Sequence, residues 1–164
     1  MTLLRTPEAS ALCGADHHRL GYVPHYTRVF APGPAIYAAW TQLVTALWAG
    51  MDERRDELVR HAAARRLRAR YCVLAHATVL QSTFLDTDSL LAIAVDRHGS
   101  DLDPLRAHLS NMEIFHVVAA VAACRFCTAV LDATHTTTDD SYDALDPTPR
   151  AALLQPCNGG HHDQ

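Results

Sequence analysis

Apolar positions recur at three- and four-residue spacing along most of the chain, the period of helices with one buried face. Ile36, Trp40, Leu43 and Leu47 form one such series. Pro34 opens it, its fixed φ suiting a first helical turn, and Gly50 ends it. A second series follows Asp52, a natural N-cap, with acids in the first turn and arginines later, as the helix dipole favours. It passes through Leu58, Ala62 and Leu67 and meets no Gly, Pro or Asn before Phe84. Read from local propensity, residues 53–84 form one long helix. At about 1.5 Å per residue that helix would hold Glu57 roughly 22 Å from Cys72.

Thr87 or Asp88 caps the next helix, which carries Leu90, Leu91 and Ile93 and stops at Gly99. Asp103-Pro104 is a further cap-plus-proline start, opening a short helix to about Leu109. Ser110 and Glu113 have capping-box spacing. After them Ile114 to Ala133 is an almost wholly apolar helix, of the kind buried in a core or at a subunit contact. No strand alternation and no repeat of 20–50 residues is present, so the fold class is all-α with about six helices. Residues 1–33, rich in Pro and Gly, read as an irregular N-terminal segment, and 34–133 as the helical domain. Residues 134–164 turn to Thr, Asp, Ser, Pro and Gly and read as a flexible tail with a short docked turn at Ala151–Leu154.

Composition narrows the function classes. No apolar run approaches the roughly 18 residues of a membrane span, and the first residues lack the apolar stretch of a secretion signal. The expectation is a cytoplasmic protein that binds no membrane. A net charge of −4 gives no general attraction to nucleic acid. All fourteen basic residues are Arg, which excludes lysine Schiff-base chemistry, and seven lie between Arg54 and Arg70. That strip reads as a solvated helix face with intrahelical acid partners rather than a phosphate-binding surface. Five cysteines, an odd number, suit reduced thiols better than a disulfide framework. His161-His162 reads as tail.

Cys72 and His76 are one turn apart on one helix face. A nearby imidazole can take a thiol's proton, a carboxylate can orient that imidazole, and the start of a helix lowers a thiol's pKa. Glu57 is the candidate carboxylate if the chain folds back before Cys72. The same residues would equally suit a small buried thiol beside a hydrogen-bonded core histidine. A zinc site from Cys72, His76 and Glu57 is chemically allowed but lacks an evident fourth ligand. Cys124-Arg125-Phe126-Cys127 lies mid-helix in apolar company and reads as packing.

Three stretches in this order resemble the carboxymuconolactone decarboxylase and alkyl hydroperoxidase D superfamily. They are Arg55-Asp56-Glu57-Leu58-Val59 with Ala62-Ala63-Ala64, then Tyr71-Cys72-Val73-Leu74-Ala75-His76, then Leu109 to Ala119 continuing to Val130-Leu131-Asp132-Ala133. The resemblance covers roughly residues 35–133. It implies an all-helical domain in which the chain turns between the Glu57 and Cys72 segments, and assembly into trimers, hexamers or related homo-oligomers. It also implies a thiol-dependent peroxidase site with Cys72 as nucleophile, His76 as base and Glu57 as relay carboxylate. The substrate would be a hydroperoxide and the reductant an external thiol, with no cofactor and no metal.

This chain departs from the pattern at Ala69, where the peroxidase branch has the first cysteine of its Cys-x-x-Cys. Tyr71 stands where some members have a second histidine, and Arg125 and Thr128 replace common asparagines. Without a cysteine at position 69, Cys124 or Cys127 becomes a candidate to resolve a Cys72 sulfenic acid. Two alternatives stay open. One is a decarboxylase-like lyase acting on a lactone-like substrate by proton transfer from His76 and Glu57. The other is a non-catalytic oligomeric or ligand-binding protein.

Overall fold

Eight α-helices and one 3₁₀ helix form the described part of the chain, residues 11–95 and 109–155 of a computed structural model. In chain order they are α1 (Ala11–Leu20), α2 (His25–Phe30), α3 (Pro34–Trp48), α4 (Glu53–Arg66), α5 (Arg70–Thr83), α6 (Thr87–Val95), α7 (Asn111–Ala133), the 3₁₀ helix Asp140–Ala144 and α8 (Pro147–Leu154). The all-α expectation holds. Gly99, the short helix from Asp103-Pro104, Cys157 and His161-His162 lie outside the described residues.

Several end signals act as expected. Pro34 occupies the first turn of α3, Asp52 caps α4 through the Arg55 amide at 3.0 Å, and Ser110 and Glu113 form a full capping box on α7. The cap of α6 falls one residue earlier than expected, because the Asp86 carboxylate accepts the Ser89 amide at 2.7 Å.

The long helix over 53–84 does not form. Arg68 takes φ +56°, in the left-handed region, and breaks it into α4 and α5. The Ala69 amide returns to the Ala64 carbonyl at 2.9 Å and the Arg68 amide to Arg65 at 3.0 Å. This is a Schellman ending, with arginine where glycine is usual. Ala64 and Ala69, its apolar pair, are both buried. An L-residue pays about 1–2 kcal/mol for this conformation, and packing of α5 on α4 offsets it. Ala64 meets Ala69 and Glu57 meets His76, so the two helices run antiparallel as a hairpin.

Residues 11–33 are helical for much of their length rather than irregular. Glycine and proline spacing hid α1 and α2, which are fixed by a bond from the Thr27 hydroxyl to the buried Asp16 carboxylate. Residues 134–155 likewise pack on the domain, where a flexible tail was expected. Buried Asp139 accepts the Tyr71 hydroxyl and, at 2.8 Å, the His25 amide. Asp146 accepts Gln81 Nε2 at 2.7 Å and the Thr87 hydroxyl, while Leu145 and Leu153 enter the core. The polar residues that suggested disorder are the ones that dock this segment. The anticipated turn at Ala151–Leu154 is the second half of α8.

One expectation about length also fails. Helix α7 is long and apolar enough to cross a membrane by length and composition, although it carries Arg125. Here it lies against α3 and α4, burying Ala120, Ala123, Cys124, Cys127, Thr128 and Leu131. Its other face leaves Phe115, Val118, Val121 and Phe126 exposed.

Candidate thiol site

The α4–α5 hairpin sets the first half of the site. Glu57 is buried one turn into α4, and its Oε2 lies 2.7 Å from His76 Nδ1 on α5. Burial disfavours a charged His76, but hydrogen bonds to Cys124 and Glu57 and the Glu57 charge outweigh it and hold the imidazole up at about 9. At neutral pH the His76 ring is protonated where it faces Glu57.

Cys72 is in the first turn of α5, whose N-cap is Ala69. Helix α7 supplies its neighbours. The Thr128 hydroxyl donates to Cys72 Sγ at 3.5 Å, and the thiols of Cys124 and Cys127 are both in hydrogen-bond contact with it. The Cys124 thiol would lower the Cys72 pKa, but the Cys127 thiol and burial prevail and push it up to about 12. The helix start therefore does not yield a resting thiolate. Cys124 is raised as well, by its hydrogen bond with Cys72 and by burial, with His76 opposing.

Glu57 bonds His76, and the cavity wall brings Cys124 beside both His76 and Cys72, where it interacts with each. All three expected residues gather in one place, yet the thiol in contact with the imidazole is Cys124. Spacing within α5 could not show this, because Cys124 is 48 residues from His76 in sequence and reads as packing. Its one signal was its place in a Cys-x-x-Cys that the expected site did not use. Among the described residues, no three His, Cys, Asp or Glu side chains are grouped so as to hold a metal ion.

The thiols line a mostly apolar cavity of about 120 Å³, with Trp40, Val44, Leu131 and Tyr142 on its walls. Arg60 is the cationic side chain of the lining apart from His76. Its Nε meets Asp56 Oδ2 at 2.8 Å, its guanidinium stacks 5.0 Å over Trp48, and Trp48 Nε1 donates to the same carboxylate at 2.6 Å. Burial raises the Asp56 pKa against the pull of Arg60 and Trp48. Tyr71 closes the wall near Cys72, its hydroxyl held by Asp139. His61, one turn beyond Glu57, is fully buried, with the Val73 backbone among the polar groups that act on its ring. Burial, then the charges of His76 and Arg65, lower it to about 4 and keep it neutral.

No protein-family model and no curated protein matches this sequence. Solved structures do. The alkylhydroperoxidase AhpD core of an uncharacterized peroxidase-related protein from Ralstonia eutropha JMP134 superposes with TM-score 0.66 at 17 % identity, covering 86 % of this chain and 94 % of that one. An uncharacterized peroxidase-related protein from Silicibacter sp. TM1040 gives TM-score 0.65 at 17 % identity, covering 87 % and 94 %. The helical arrangement that gathers Glu57, His76 and the three thiols is thus the alkyl hydroperoxidase D-like fold.

Proposed function

We propose that this protein is a thiol-dependent peroxidase of the alkyl hydroperoxidase D-like type, with Cys72 as the attacking sulfur. The observation that carries the reading is the Glu57–His76 pair, 2.7 Å apart, beside a cluster of free thiols in an apolar cavity. The Cys72 sulfur attacks the terminal oxygen of a hydroperoxide, an S–O bond forms, the O–O bond breaks, and an alcohol leaves. His76, charged at neutral pH, protonates the departing alkoxide. The Cys72 proton then returns to it along the contacts through Cys124. Apolar walls suit an organic hydroperoxide, and an external thiol restores the reduced state. The exposed face of α7 with Ile36 and Leu43 of α3 supports a homo-oligomer in which these residues are covered.

The test is to add tert-butyl hydroperoxide to fully reduced protein and follow its consumption, then locate the oxidised sulfurs by mass. The expected result is about one equivalent consumed per chain, with oxidation at Cys72, and loss of the reaction in His76→Ala. Oxidation spread evenly over all five cysteines would falsify it.

A second reading is a lyase that moves protons with His76 and Glu57 while the thiols only pack. The high Cys72 pKa favours it. It predicts that Cys72→Ala retains turnover of a lactone-type acid while His76→Ala loses it.

A further inference from the structure

We propose that Cys72 and Cys124 form a reversible disulfide between α5 and α7, with Cys124 as resolving thiol and His76 handling its proton. The inference rests on the peroxidase reading for its oxidant, and on geometry for its partner. Ala69, the N-cap of α5, is buried and has no sulfur, so a Cys72 sulfenic acid has no partner on its own helix turn. Cys13 does not line the cavity. Among the described residues, the cysteines within reach are Cys124 and Cys127, both on the α7 face that looks at Cys72. Thr128, one turn past Cys124, fixes the register of that face by its 3.5 Å bond to the Cys72 sulfur.

What separates the two candidates is the base. Cys124 touches both Cys72 and His76, and its sulfur also lies 3.9 Å from the Arg60 carbonyl. Cys127 also interacts with Cys72, but the thiol that acts most strongly on His76 is Cys124. A resolving thiol must lose a proton as it attacks, so the thiol beside the imidazole is the competent one.

The steps balance. Cys72 as thiol and ROOH give Cys72 sulfenic acid and ROH, and His76 leaves this step protonated again. In the second step hydroxide departs from the Cys72 sulfur and takes the His76 proton, becoming water. The S–O bond breaks and the S–S bond forms as Cys124 attacks, its own proton passing to the vacated imidazole. An external dithiol entering through the cavity then reduces the disulfide by exchange, returning two thiols and leaving with its own disulfide. The Cys-x-x-Cys of α7 therefore contributes one sulfur to a pair that spans two helices.

The experiment uses the whole reduced chain and two oxidants. One portion receives one equivalent of cumene hydroperoxide and another receives diamide, which oxidises neighbouring thiols without a sulfenic acid. Free thiols are blocked with N-ethylmaleimide and the protein is digested without reduction. The expected product in both is a Cys72–Cys124 linked peptide, reversed by dithiothreitol, exceeding Cys72–Cys127 at least tenfold. In Cys124→Ser, peroxide should leave a Cys72 sulfenic acid that dimedone traps. If diamide gives the Cys72–Cys124 bond while cumene hydroperoxide is not consumed, the pair stands and the peroxidase reading falls. If peroxide is consumed but wild-type Cys72 links to Cys127, or stays a sulfenic acid, the pair is overturned and the peroxidase reading survives. The wild-type map needs no variant, so a misfolded Cys124→Ser leaves the proposal open to refutation.

Discussion

The α4–α5 hairpin and helix α7 each supply half of the thiol site, and they do so by different means. The hairpin half is built by a turn. One left-handed residue, Arg68, reverses the chain and brings Glu57 to 2.7 Å from His76 across only 19 residues. The α7 half is built by packing: Cys124 and Thr128 reach Cys72 because the helix buries its small-residue face on α4 and α3. The first half is closed by a short turn, within helices that themselves supply much of the core. The second depends on the whole domain being folded. The Glu57–His76 pair sits in the hairpin half, while two of the three clustered sulfurs belong to α7.

The largest expected effect tests whether the two halves act as one unit. His76→Ala should slow hydroperoxide consumption by about 10²-fold or more, the scale of a lost acid–base group. Glu57→Gln should slow it less and let His76 fall from about 9 towards its usual value near 6.5, as read by NMR titration of the imidazole. Cys127→Ala should leave the rate within about twofold; a loss as large as that of Cys72→Ala would mean that Cys127, and not Cys124, is the α7 thiol the reaction uses.

Stability against pH separates two histidines of the hairpin. His76 binds its proton more tightly folded than unfolded, so its contribution is full below about pH 6.5 and is lost as pH rises through about 9. The shift corresponds to something on the order of 3 kcal/mol. His61 has the opposite sign: held neutral with a folded pKa of about 4, it contributes above about pH 6.5 and loses that contribution as pH falls towards 4. Urea midpoints should therefore drop on both sides of about pH 6.5. In His76→Gln the alkaline side should flatten while the acid side remains.

A smaller effect concerns the docked C-terminal segment. Asp139→Ala strands the Tyr71 hydroxyl and the His25 amide, and should cost about 2 kcal/mol in urea denaturation. It should also expose residues 134–155 to limited proteolysis. No change in cleavage there would show that Leu145 and Leu153 hold the segment without the polar anchor. The smallest effect is at the turn: Arg68→Gly should raise stability by about 0.5 kcal/mol, because glycine adopts the left-handed conformation freely. A loss of stability would mean that the Arg68 side chain contributes more than its backbone strain removes.

Helical class, the caps of α3, α4 and α7, and the one-turn pairing of Cys72 with His76 were legible in the sequence, because capping and periodicity act within a few residues of where they are written, whereas Glu57 joined them only through the family resemblance. The break at Arg68 was not, since no glycine, proline or asparagine marks it and local propensity favours continuing the helix. Only the resemblance to known proteins pointed to a turn there. The helices before residue 34 and the docked segment after 133 were hidden for a related reason. Their stabilising partners, such as Asp139 with Tyr71 and Asp146 with Gln81, are tens of residues away. The thiol site divides along the same line. A one-turn spacing places Cys72 and His76 on one helix face, and that much follows from helix geometry alone. Which sulfur meets the imidazole depends on how α7 lies against the hairpin, a matter of shape fit between helices that no local pattern encodes. The Cys127 thiol and burial, in turn, raise Cys72 to about 12, where a helix start alone would have lowered it.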